Sequence, residues 1–422
     1  MQQFVGEMTL DMSVMALARP ANLRPVVAAI ALPSVNWLRL RHYRNFPELT
    51  VTNEAAMVAI VGANGVGKTN ILEALSLLAV GRGLRRAALG DLQHQNATGE
   101  ISAENWSLSA QIVTASGEWV IGSGSEAVDS ADTPENYEKK PRLKRLIKID
   151  GRITRGQREL GEILSVAWLT PDMDRIFRDS AQMRRNYLDR LVLALSPAHG
   201  EHVAAYSQAM RERSRLLRTG YGNSVSDRAW LCALEETMAA EAVAIAAERL
   251  SLVAGINRAA LDAPSDEVLN LPIPVLALTG FVEENLRQES ALRAEEKFRA
   301  VLEASRRNDA DSGITQFGIH RSDLVTTEAH RGVSADKLST GEQKTLLLAI
   351  QFAQARLIKS VRGHPPLLLL DDLPAHLDKN RLTAFLRQAL ALGGQIFVTG
   401  TEATDFQPLE NDVQLLKLGQ LD

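Results

Sequence analysis

The sequence has a single cysteine, few aromatic residues and no long apolar segment. Of its 422 residues, one is cysteine (Cys232) and 5% are aromatic. One cysteine excludes both a disulfide framework and a zinc site built from cysteines, and it suits a reducing cytoplasm. The chain contains no run of 18 apolar residues, which excludes a membrane-spanning helix of ordinary length.

Charge and composition are those of a globular protein. The chain is 45% hydrophobic and 23% charged, with a net charge of −4. This acidic balance does not indicate a nucleic-acid-binding protein, although an average charge is compatible with a local basic surface. The length favours two domains. Residues 1–34 lack the pattern of a targeting signal, and we expect them to form a disordered extension.

The most informative segment is the glycine-rich stretch at residues 62–69. An apolar run at residues 57–61 predicts a buried strand before it, and a helical pattern follows it. Strand, loop with the spacing G-x-x-x-x-G-K-T, and helix are together typical of a phosphate-binding loop. The residues predicted to bind ATP here are Gly62, Ala63, Asn64, Gly65, Val66, Gly67, Lys68, Thr69 and Asn70.

Three features of this loop suit a nucleotide phosphate. Its glycines allow backbone N–H groups to turn inward, and the helix N-terminus adds partial positive charge. Lys68 would place a cation near the β- and γ-phosphates and assist catalysis, and Thr69 would offer a hydroxyl to the metal ion. The sequence therefore predicts ATP and Mg²⁺ as cofactors.

A second group of motifs lies near the C-terminus. Ser339 and Gly341 stand at the start of a helical pattern, an arrangement that can bind an anion. An apolar strand pattern at residues 366–370 then ends in two carboxylates. We expect Asp371 to hold Mg²⁺ and Asp372 to orient or deprotonate the attacking water.

The patterns divide the chain into head and arm segments. We predict an N-terminal head part (35–170), a helical arm (171–304) and a C-terminal head part (305–422). Predicted strands outside the loop region are 106–113, 118–121, 146–149, 274–278 and 395–399. Predicted helices are 180–218, 231–256 and 281–305. Predicted loops are 122–140 and 308–313.

Basic residues gather in two places. One cluster comprises Lys139, Lys140, Arg142, Lys144 and Arg145. A helical polar face carries Arg184, Arg185, Arg211, Arg213, Arg215 and Arg218. The first cluster is compatible with either a DNA-facing role or an ordinary solvated surface.

Taken in order, these motifs resemble those of the ATP-binding-cassette (ABC) ATPases, in particular the RecF family of recombination mediators, which is related to the chromosome-maintenance ATPases. The resemblance covers about residues 35–402, and residues 184–189 and 320–324 carry it most specifically. It implies an α/β fold class: a P-loop ATPase head of the ABC type, a mixed sheet with flanking helices, and an inserted, mainly helical arm.

The family resemblance also implies a mechanism. ATP would lie in a head-to-tail homodimer between the loop of one copy and Ser339, Gly341 and Glu342 of the other, with Asp378 nearby. The implied activity is slow, DNA-stimulated ATP hydrolysis. The implied partners are single-stranded, gapped or duplex DNA and the mediators RecO and RecR, for loading the RecA recombinase at gaps in a bacterial cytoplasm. Support of replication forks and of the SOS response follows from the same resemblance.

Three positions depart from the family pattern. Asp372 stands where many cassette ATPases carry glutamate, and its shorter side chain agrees with slow turnover. Ala375 and His376 replace the usual Ser-Glu pair, so that only Asp378 is carried over from that motif. The switch strand ends at Thr399 without a histidine, which leaves its role open.

Other functions remain open from the motifs alone. A long-armed ATPase that tethers chromosomes would need many more residues than lie between Thr69 and Ser339. A transporter ATPase subunit has its signature much closer to the phosphate loop. A nucleotide-gated scaffold with incidental hydrolysis has the same motifs. ATP-dependent binding to DNA without a membrane protein separates the transporter from the repair function.

Overall fold

A computed structural model describes residues 32–96, 99, 101–102, 105–128, 142–218, 225–263, 268–375 and 377–419. Its strands, in chain order, are β1 (Ser34–Tyr43), β2 (Phe46–Thr52), β3 (Met57–Val61), β4 (Ser107–Thr114), β5 (Gly117–Val128), β6 (Arg142–Ile149), β7 (Arg152–Ile153), β8 (Val166–Leu169), β9 (Pro274–Thr279), β10 (Asp323–Glu328), β11 (Val333–Ser334), β12 (Leu367–Leu370), β13 (Ile396–Gly400) and β14 (Val413–Lys417). Its helices are α1 (Lys68–Ser76), α2 (Arg158–Ile163), α3 (Ala181–Leu193), α4 (His199–Arg218), α5 (Val225–Leu261), α6 (Phe281–Gln288), α7 (Ala291–Ser312), α8 (Thr340–Arg362) and α9 (Lys379–Ala391). Of the predicted extension, residues 1–31 lie outside the described residues, and Ser34 already belongs to β1.

A five-stranded parallel sheet positions the glycine-rich loop. Its strand order is β14-β3-β13-β12-β8, and helices α1 and α8 pack against it. Strands β3, β8 and β12 are buried throughout, as is typical of parallel strands between helices. Val61 pairs with Gly400, and Leu370 pairs with Leu169. The carboxyl ends of β3, β13, β12 and β8 therefore meet at one edge of the sheet. The glycine-rich loop follows β3 at this edge, and Asp371 follows β12.

Antiparallel pairing occurs in separate sheets. A six-stranded sheet has the order β2-β1-β4-β5-β6-β7, and a three-stranded sheet has the order β11-β10-β9. The predicted α/β class is confirmed. Within the described residues, parallel pairs form one sheet and antiparallel pairs form the other two. The strands predicted at residues 106–113, 118–121, 146–149, 274–278 and 395–399 are all present, although β5 and β6 are longer than predicted.

The loop predicted at residues 122–140 is wrong in its first part. Strand β5 continues to Val128 and pairs with β6 along its length. A glycine suits position 124 of this strand because an added Cβ there would lie 3.0 Å from the carbonyl oxygen of Trp106. Ser123 and Ser125 are buried on one face. Residues 129–140 lie outside the described residues.

Arg145 is a structural residue rather than part of a basic surface. Its guanidinium donates to Ser123 Oγ at 2.9 Å, to Gly81 O at 3.0 Å and to the carbonyl oxygen of Leu77. Burial lowers the pKa of Arg145 to about 10. The predicted basic cluster is therefore wrong at Arg145, while Lys139 and Lys140 lie outside the described residues.

The helical region differs from its prediction in three places. One is the helix predicted over residues 281–305, which is divided into α6 and α7 with Glu289 and Ser290 between them. The helix predicted over residues 180–218 is divided into α3 and α4, and Pro197 lies between them. The loop predicted at residues 308–313 is wrong because α7 continues to Ser312 and ends at Gly313, whose φ is 69°. The long helix predicted over residues 231–256 is confirmed within α5.

A buried ion network explains why polar sequence at the end of α7 is helical. Arg213 is fully buried and donates to Glu235 at 2.9 Å and to Asp309 at 2.7 Å. It also donates to the carbonyl oxygen of Leu302 at 2.7 Å, so that all its nitrogens have partners. Arg213 thus does not belong to an exposed polar face, contrary to the prediction. The arginines of α4 that are exposed are Arg211, Arg215 and Arg218.

The two segments that carry the family resemblance most specifically meet in the fold. Arg184 on α3 makes two hydrogen bonds of 2.7 Å with the carboxylate of Asp323. Arg249 on α5 makes two bonds, of 2.8 and 3.0 Å, with Asp189, and donates to the carbonyl oxygen of Ile319 at 3.0 Å. These paired charges join helices α3 and α5 to the segment that leads into β10.

His199 extends this network and predicts a dependence of stability on pH. Its ring is fully buried, with Nε2 at 3.0 Å from Asp189 and Nδ1 beside Glu248. Burial opposes the charged ring, but the hydrogen bonds with Asp189 and Glu248 raise the pKa of His199 above its ordinary value. Both ring nitrogens therefore donate, and the protonated form is stabilised in the fold.

We expect His199→Gln to lower the free energy of unfolding by on the order of 1–3 kcal/mol near pH 6. Because the pKa of His199 is higher in the folded than in the unfolded chain, protonation of His199 stabilises the fold. This contribution is complete below the unfolded pKa of about 6.5 and is lost as pH rises through the folded pKa. The difference in thermal midpoint between wild type and variant should therefore shrink from pH 6 to pH 9. A difference that stays constant over this range would show that His199 is neutral in the fold.

Candidate ATP-binding site

The glycine-rich loop connects β3 to α1 at the edge where the parallel strands end. Gly67 immediately precedes α1 with a φ of 107°, and an added Cβ would lie 2.5 Å from Asn45 Nδ2. Glycine is therefore required both by the backbone conformation and by the close neighbour. Asn45 Nδ2 donates to Val66 O at 2.9 Å, and Asn70 Nδ2 donates to Asn45 Oδ1 at 2.7 Å. These bonds hold the loop in one shape.

The ammonium group of Lys68 lies over the loop. It donates to Gly62 O at 2.7 Å and to Ala63 O at 2.9 Å, and the residue is 8% exposed. A lysine ammonium has three donors, so one remains for a further acceptor. The loop thus keeps a cation at its centre with a donor available for a phosphate oxygen.

Asp371 lies opposite the loop, and hydroxyl groups from two other segments bind it. Thr69 Oγ1 donates to the carboxylate with 3.0 Å to each oxygen, and Thr399 Oγ1 donates to Oδ1 at 2.8 Å. Burial raises the pKa of Asp371, although the two hydroxyl groups favour its charged form. A metal ion beside Thr69 and Asp371 would stabilise the carboxylate further.

Asp372 follows in an unusual backbone conformation. Its φ is 52°, and its N–H donates to Thr399 Oγ1 at 2.7 Å. Thr399 is fully buried, and its one hydroxyl group bonds to both acidic residues: it donates to Asp371 Oδ1 and accepts from the N–H of Asp372. The sequence left the role of Thr399 at the switch position open. Its partners follow β12, and they lie next to Thr399 only because β12 pairs with β13.

These residues enclose a cavity of about 260 Å³. The lining consists of Asn64, Gly65, Gly67, Lys68, Thr69, Asn70, Arg85, Pro171, Asp371, Asp372 and Thr399. Gly62, Ala63 and Val66 belong to the loop but not to this lining. The predicted metal ligands, Thr69 and Asp371, and the predicted catalytic residues, Lys68 and Asp372, thus line the same cavity.

Arg85 is a member of this lining that sequence reasoning missed. Its Nη1 donates to Asn70 Oδ1 at 2.7 Å, and it lies 3.5 Å from the buried carboxylate of Glu73. Arg44 holds Glu73 from the other side through two bonds of 2.8 Å. The available signal was the basic turn at residues 81–86, whose sequence is compatible with a phosphate or DNA contact as well as with a solvated loop.

The residues present fit a magnesium-bound triphosphate. The cavity combines two cations, Lys68 and Arg85, with the hydroxyl and carboxylate of Thr69 and Asp371. Mg²⁺ commonly takes only one or two protein ligands and completes its shell with phosphate and water. In the described part of the chain, no group of three or more histidine, cysteine, aspartate or glutamate residues is placed to hold a metal ion.

The predicted signature residues lie elsewhere. Ser339 caps α8: its Oγ accepts from Glu342 N at 3.3 Å, while Glu342 accepts from Ser339 N at 2.8 Å. Hydrogen bonds from Ser339 lower the pKa of Glu342 to about 2. Ser339 and Gly341 are exposed, and neither belongs to the described lining of the loop cavity. Asp378, which caps α9 by accepting from Arg381 N at 3.0 Å, is also exposed and outside it.

Neighbouring residues hold the signature turn in place. Gln343 Nε2 donates to Ala335 O at 2.8 Å and to Leu338 O at 3.1 Å. Arg178 Nη2 donates to the same Leu338 oxygen at 2.9 Å. The exposed end of α8 is therefore a preformed helix N-terminus, of the kind that can bind an anion, and it does not line the loop cavity of its own chain.

Comparison with known proteins identifies the family. Residues 34–418 match the model of the RecF/RecN/SMC N-terminal domain. The chain is 38% identical over 381 residues to the DNA replication and repair protein RecF of Rhizobium etli strain CIAT 652, covering 90% of this chain and 96% of the relative. It is 36% identical over 385 residues to RecF of Agrobacterium fabrum strain C58, covering 91% and 96%.

Solved structures give the same fold. The chain matches the recombination mediator protein RecF-ATPrS in the RecFOR pathway with a TM-score of 0.74 and 21% identity, covering 92% of this chain and 97% of that chain. The match to RecF-ATP in the same pathway has a TM-score of 0.73 and 21% identity, covering 92% and 98%. No helix among the described residues has both the length and the hydrophobicity of a membrane span.

The family-model match and the shared sequence over nine-tenths of the chain therefore show that this chain belongs to the RecF family of DNA replication and repair proteins.

Proposed function

We propose that this chain is an ATP-dependent DNA-binding recombination mediator whose two copies join head to tail with ATP held between them. The dimer binds single-stranded or gapped DNA and helps to load the recombinase, with RecO and RecR as partners. The relatives named as DNA replication and repair proteins support this role, as do the RecF structures titled with ATP and the RecFOR pathway. Weak ATP hydrolysis to ADP and phosphate accompanies the cycle.

The residues of the loop cavity have distinct roles in this proposal. Lys68 and Arg85 bind phosphate oxygens, and Thr69 and Asp371 hold Mg²⁺. Asp372, braced by Thr399, orients the attacking water. When bound, Mg²⁺-ATP supplies the phosphoryl group that is transferred to water.

One observation supports the proposed head-to-tail dimer. The capped N-terminus of α8 can bind an anion but is exposed and absent from the described lining of the loop cavity of the same chain. A second copy, turned head to tail, brings Ser339 and Gly341 against the γ-phosphate bound by Lys68 of the first. Loss of that phosphate removes the charge that both surfaces share, so the dimer separates.

The first prediction tests nucleotide-dependent pairing and DNA binding together. Lys68→Met removes the charge at the centre of the loop, and we expect ATP affinity to fall about tenfold to 100-fold. Sedimentation should show wild-type dimers with ATP and Mg²⁺ that bind a gapped duplex in a salt-sensitive way, and monomeric variant under the same conditions. Lys297→Met, at an exposed position of α7, is the matched control. Variant dimers at the same ATP concentration would contradict the mechanism.

The second prediction concerns hydrolysis. Asp372→Asn should slow ATP hydrolysis by about 100-fold or more and leave the ATP dimer long-lived, because the amide cannot accept a proton from water. Asparagine tolerates the left-handed backbone at this position, so the loop should keep its shape. Asp412→Asn, at an exposed site, is the control. Hydrolysis by the variant at the wild-type rate, measured as phosphate release, would rule out this role for Asp372.

The third prediction separates the two halves of the pocket. Ser339→Arg should leave ATP binding by the monomer unchanged and block the dimer, because the larger side chain occupies the contact with the partner copy. Ser360→Arg, near the opposite end of α8, should leave both ATP binding and the dimer unchanged. Equilibrium binding of a fluorescent ATP analogue and sedimentation distinguish the outcomes, with circular dichroism as the check on folding. If the monomer lost ATP binding, the signature would act within its own chain.

A further inference from the structure

The first turn of α8 already binds a carboxylate of its own chain. Glu342 Oε2 accepts hydrogen bonds from Ser339 N at 2.8 Å and from Ser339 Oγ at 2.7 Å. These are the N–H and hydroxyl groups that Ser339 would offer to a phosphate oxygen. The hydrogen bonds from Ser339 hold the pKa of Glu342 at about 2, so the carboxylate is ionised at neutral pH. An anion therefore lies where the proposed dimer has to place another one.

Arg331 contacts the other oxygen of this carboxylate. Its Nη1 lies 2.8 Å from Glu342 Oε1, and its side chain is 52% exposed. Glu342 is therefore shared between Ser339 on one side and Arg331 on the other. A guanidinium has five N–H donors in a planar fork, so Arg331 can bind both oxygens of one carboxylate. A rotation of the Glu342 side chain would exchange its bonds with Ser339 for that two-bond pair.

The turn between β10 and β11 holds Arg331 beside α8. Glu328 is 4% exposed, and its carboxylate accepts from His330 N and Arg331 N at 3.0 Å each. Its backbone oxygen accepts from Gly332 N at 2.9 Å. Arg331 Nε also lies 3.3 Å from the Glu328 carboxylate. Because most of these bonds come from backbone groups, the turn should keep its shape when the Arg331 guanidinium is replaced.

Gly341 leaves the surface of the same helical turn open. An added Cβ there would have no atom of a described residue within 4 Å, and the backbone is not left-handed. Neither packing nor conformation within the described chain therefore requires glycine at this position, although glycine weakens a helix. The missing side chain gives another molecule room to approach Ser339 and Glu342 closely.

We propose that Glu342 is an internal stand-in for the γ-phosphate, and that Arg331 is the positioning residue that binds this carboxylate when ATP on the partner copy displaces it from Ser339. This inference rests on the proposed head-to-tail dimer. Two anions cannot share the Ser339 donors without strong repulsion. Transfer of the carboxylate to Arg331 frees Ser339 and neutralises the charge of Glu342. Without a γ-phosphate on the partner, Glu342 stays on Ser339 and opposes pairing.

Charge substitutions at both residues test the proposal through the ATP dimer. Glu342→Gln keeps a residue suited to the capping box but removes the charge, so the dimer should form about tenfold more tightly. Arg331→Met removes the second partner of Glu342, so the dimer should be at least about tenfold weaker. Sedimentation over a series of protein concentrations with Mg²⁺ and ATP measures both effects. ATP affinity of the monomer should stay within about twofold of wild type, because neither residue lines the loop cavity.

The double variant separates release of Glu342 from a direct contact with phosphate. If Arg331 acts through Glu342, Arg331→Met should change the dimer constant by less than about threefold once Glu342→Gln is present. An equal loss in both backgrounds would overturn the proposal, because Arg331 would then bind the phosphate itself. A dimer constant that is unchanged in Glu342→Gln would overturn it as well.

A second exposed ion pair supplies the controls. Arg293 and Glu296 on α7 lie 3.1 Å apart, and Arg293→Met and Glu296→Gln should leave the dimer constant unchanged. Circular dichroism checks that each variant is folded. Wild-type protein that stays monomeric with ATP would refute the proposed dimer and this inference together. Wild-type dimers that are insensitive to both Glu342→Gln and Arg331→Met would refute this inference alone.

Discussion

The hydrogen bonds between the Thr69 hydroxyl and the Asp371 carboxylate join the two halves of the chain. These residues are 302 positions apart, and the bonds form only because β3, β13 and β12 end at one edge of the parallel sheet. Thr399 adds a third strand end to the same carboxylate. One buried acidic group thus aligns the phosphate loop, the acidic pair and the switch strand, and the candidate chemistry depends on that alignment.

The helical part of the molecule uses charge differently. Arg213 with Glu235 and Asp309, and Arg249 with Asp189, are buried pairs that replace hydrophobic contacts at the points where helices meet. Removing one member leaves its partner charged and without compensation, so such pairs specify which elements pack together more than they add to stability. They explain why the most family-specific segments contain so many charged residues without lying in the ATP cavity.

Helix α8 runs from an exposed N-terminus into the packed interior of the fold. Its capped N-terminus is available to a second molecule, whereas its later turns pack against β8 and the helical region. The same helix therefore offers an exposed, capped first turn on a support that the rest of the fold holds in place.

The sequence by itself determined the features that depend on near neighbours. The loop before Lys68, the cap formed by Ser339 and Glu342, and the apolar strands that end in Val61 and Leu370 all result from residues within a few positions of one another. Local spacing is enough to specify a turn, a helix cap or a buried strand.

Only the tertiary structure decided which polar residues are buried and what they bind. Arg213 is fully buried because carboxylates and a carbonyl group from distant segments surround it. Arg145 is half-buried, and its guanidinium binds carbonyl groups that follow α1. The roles of Arg85 and Thr399 depended in the same way on partners across the fold. A polar side chain can be buried only where its hydrogen bonds are satisfied, and those partners are set by packing rather than by sequence spacing.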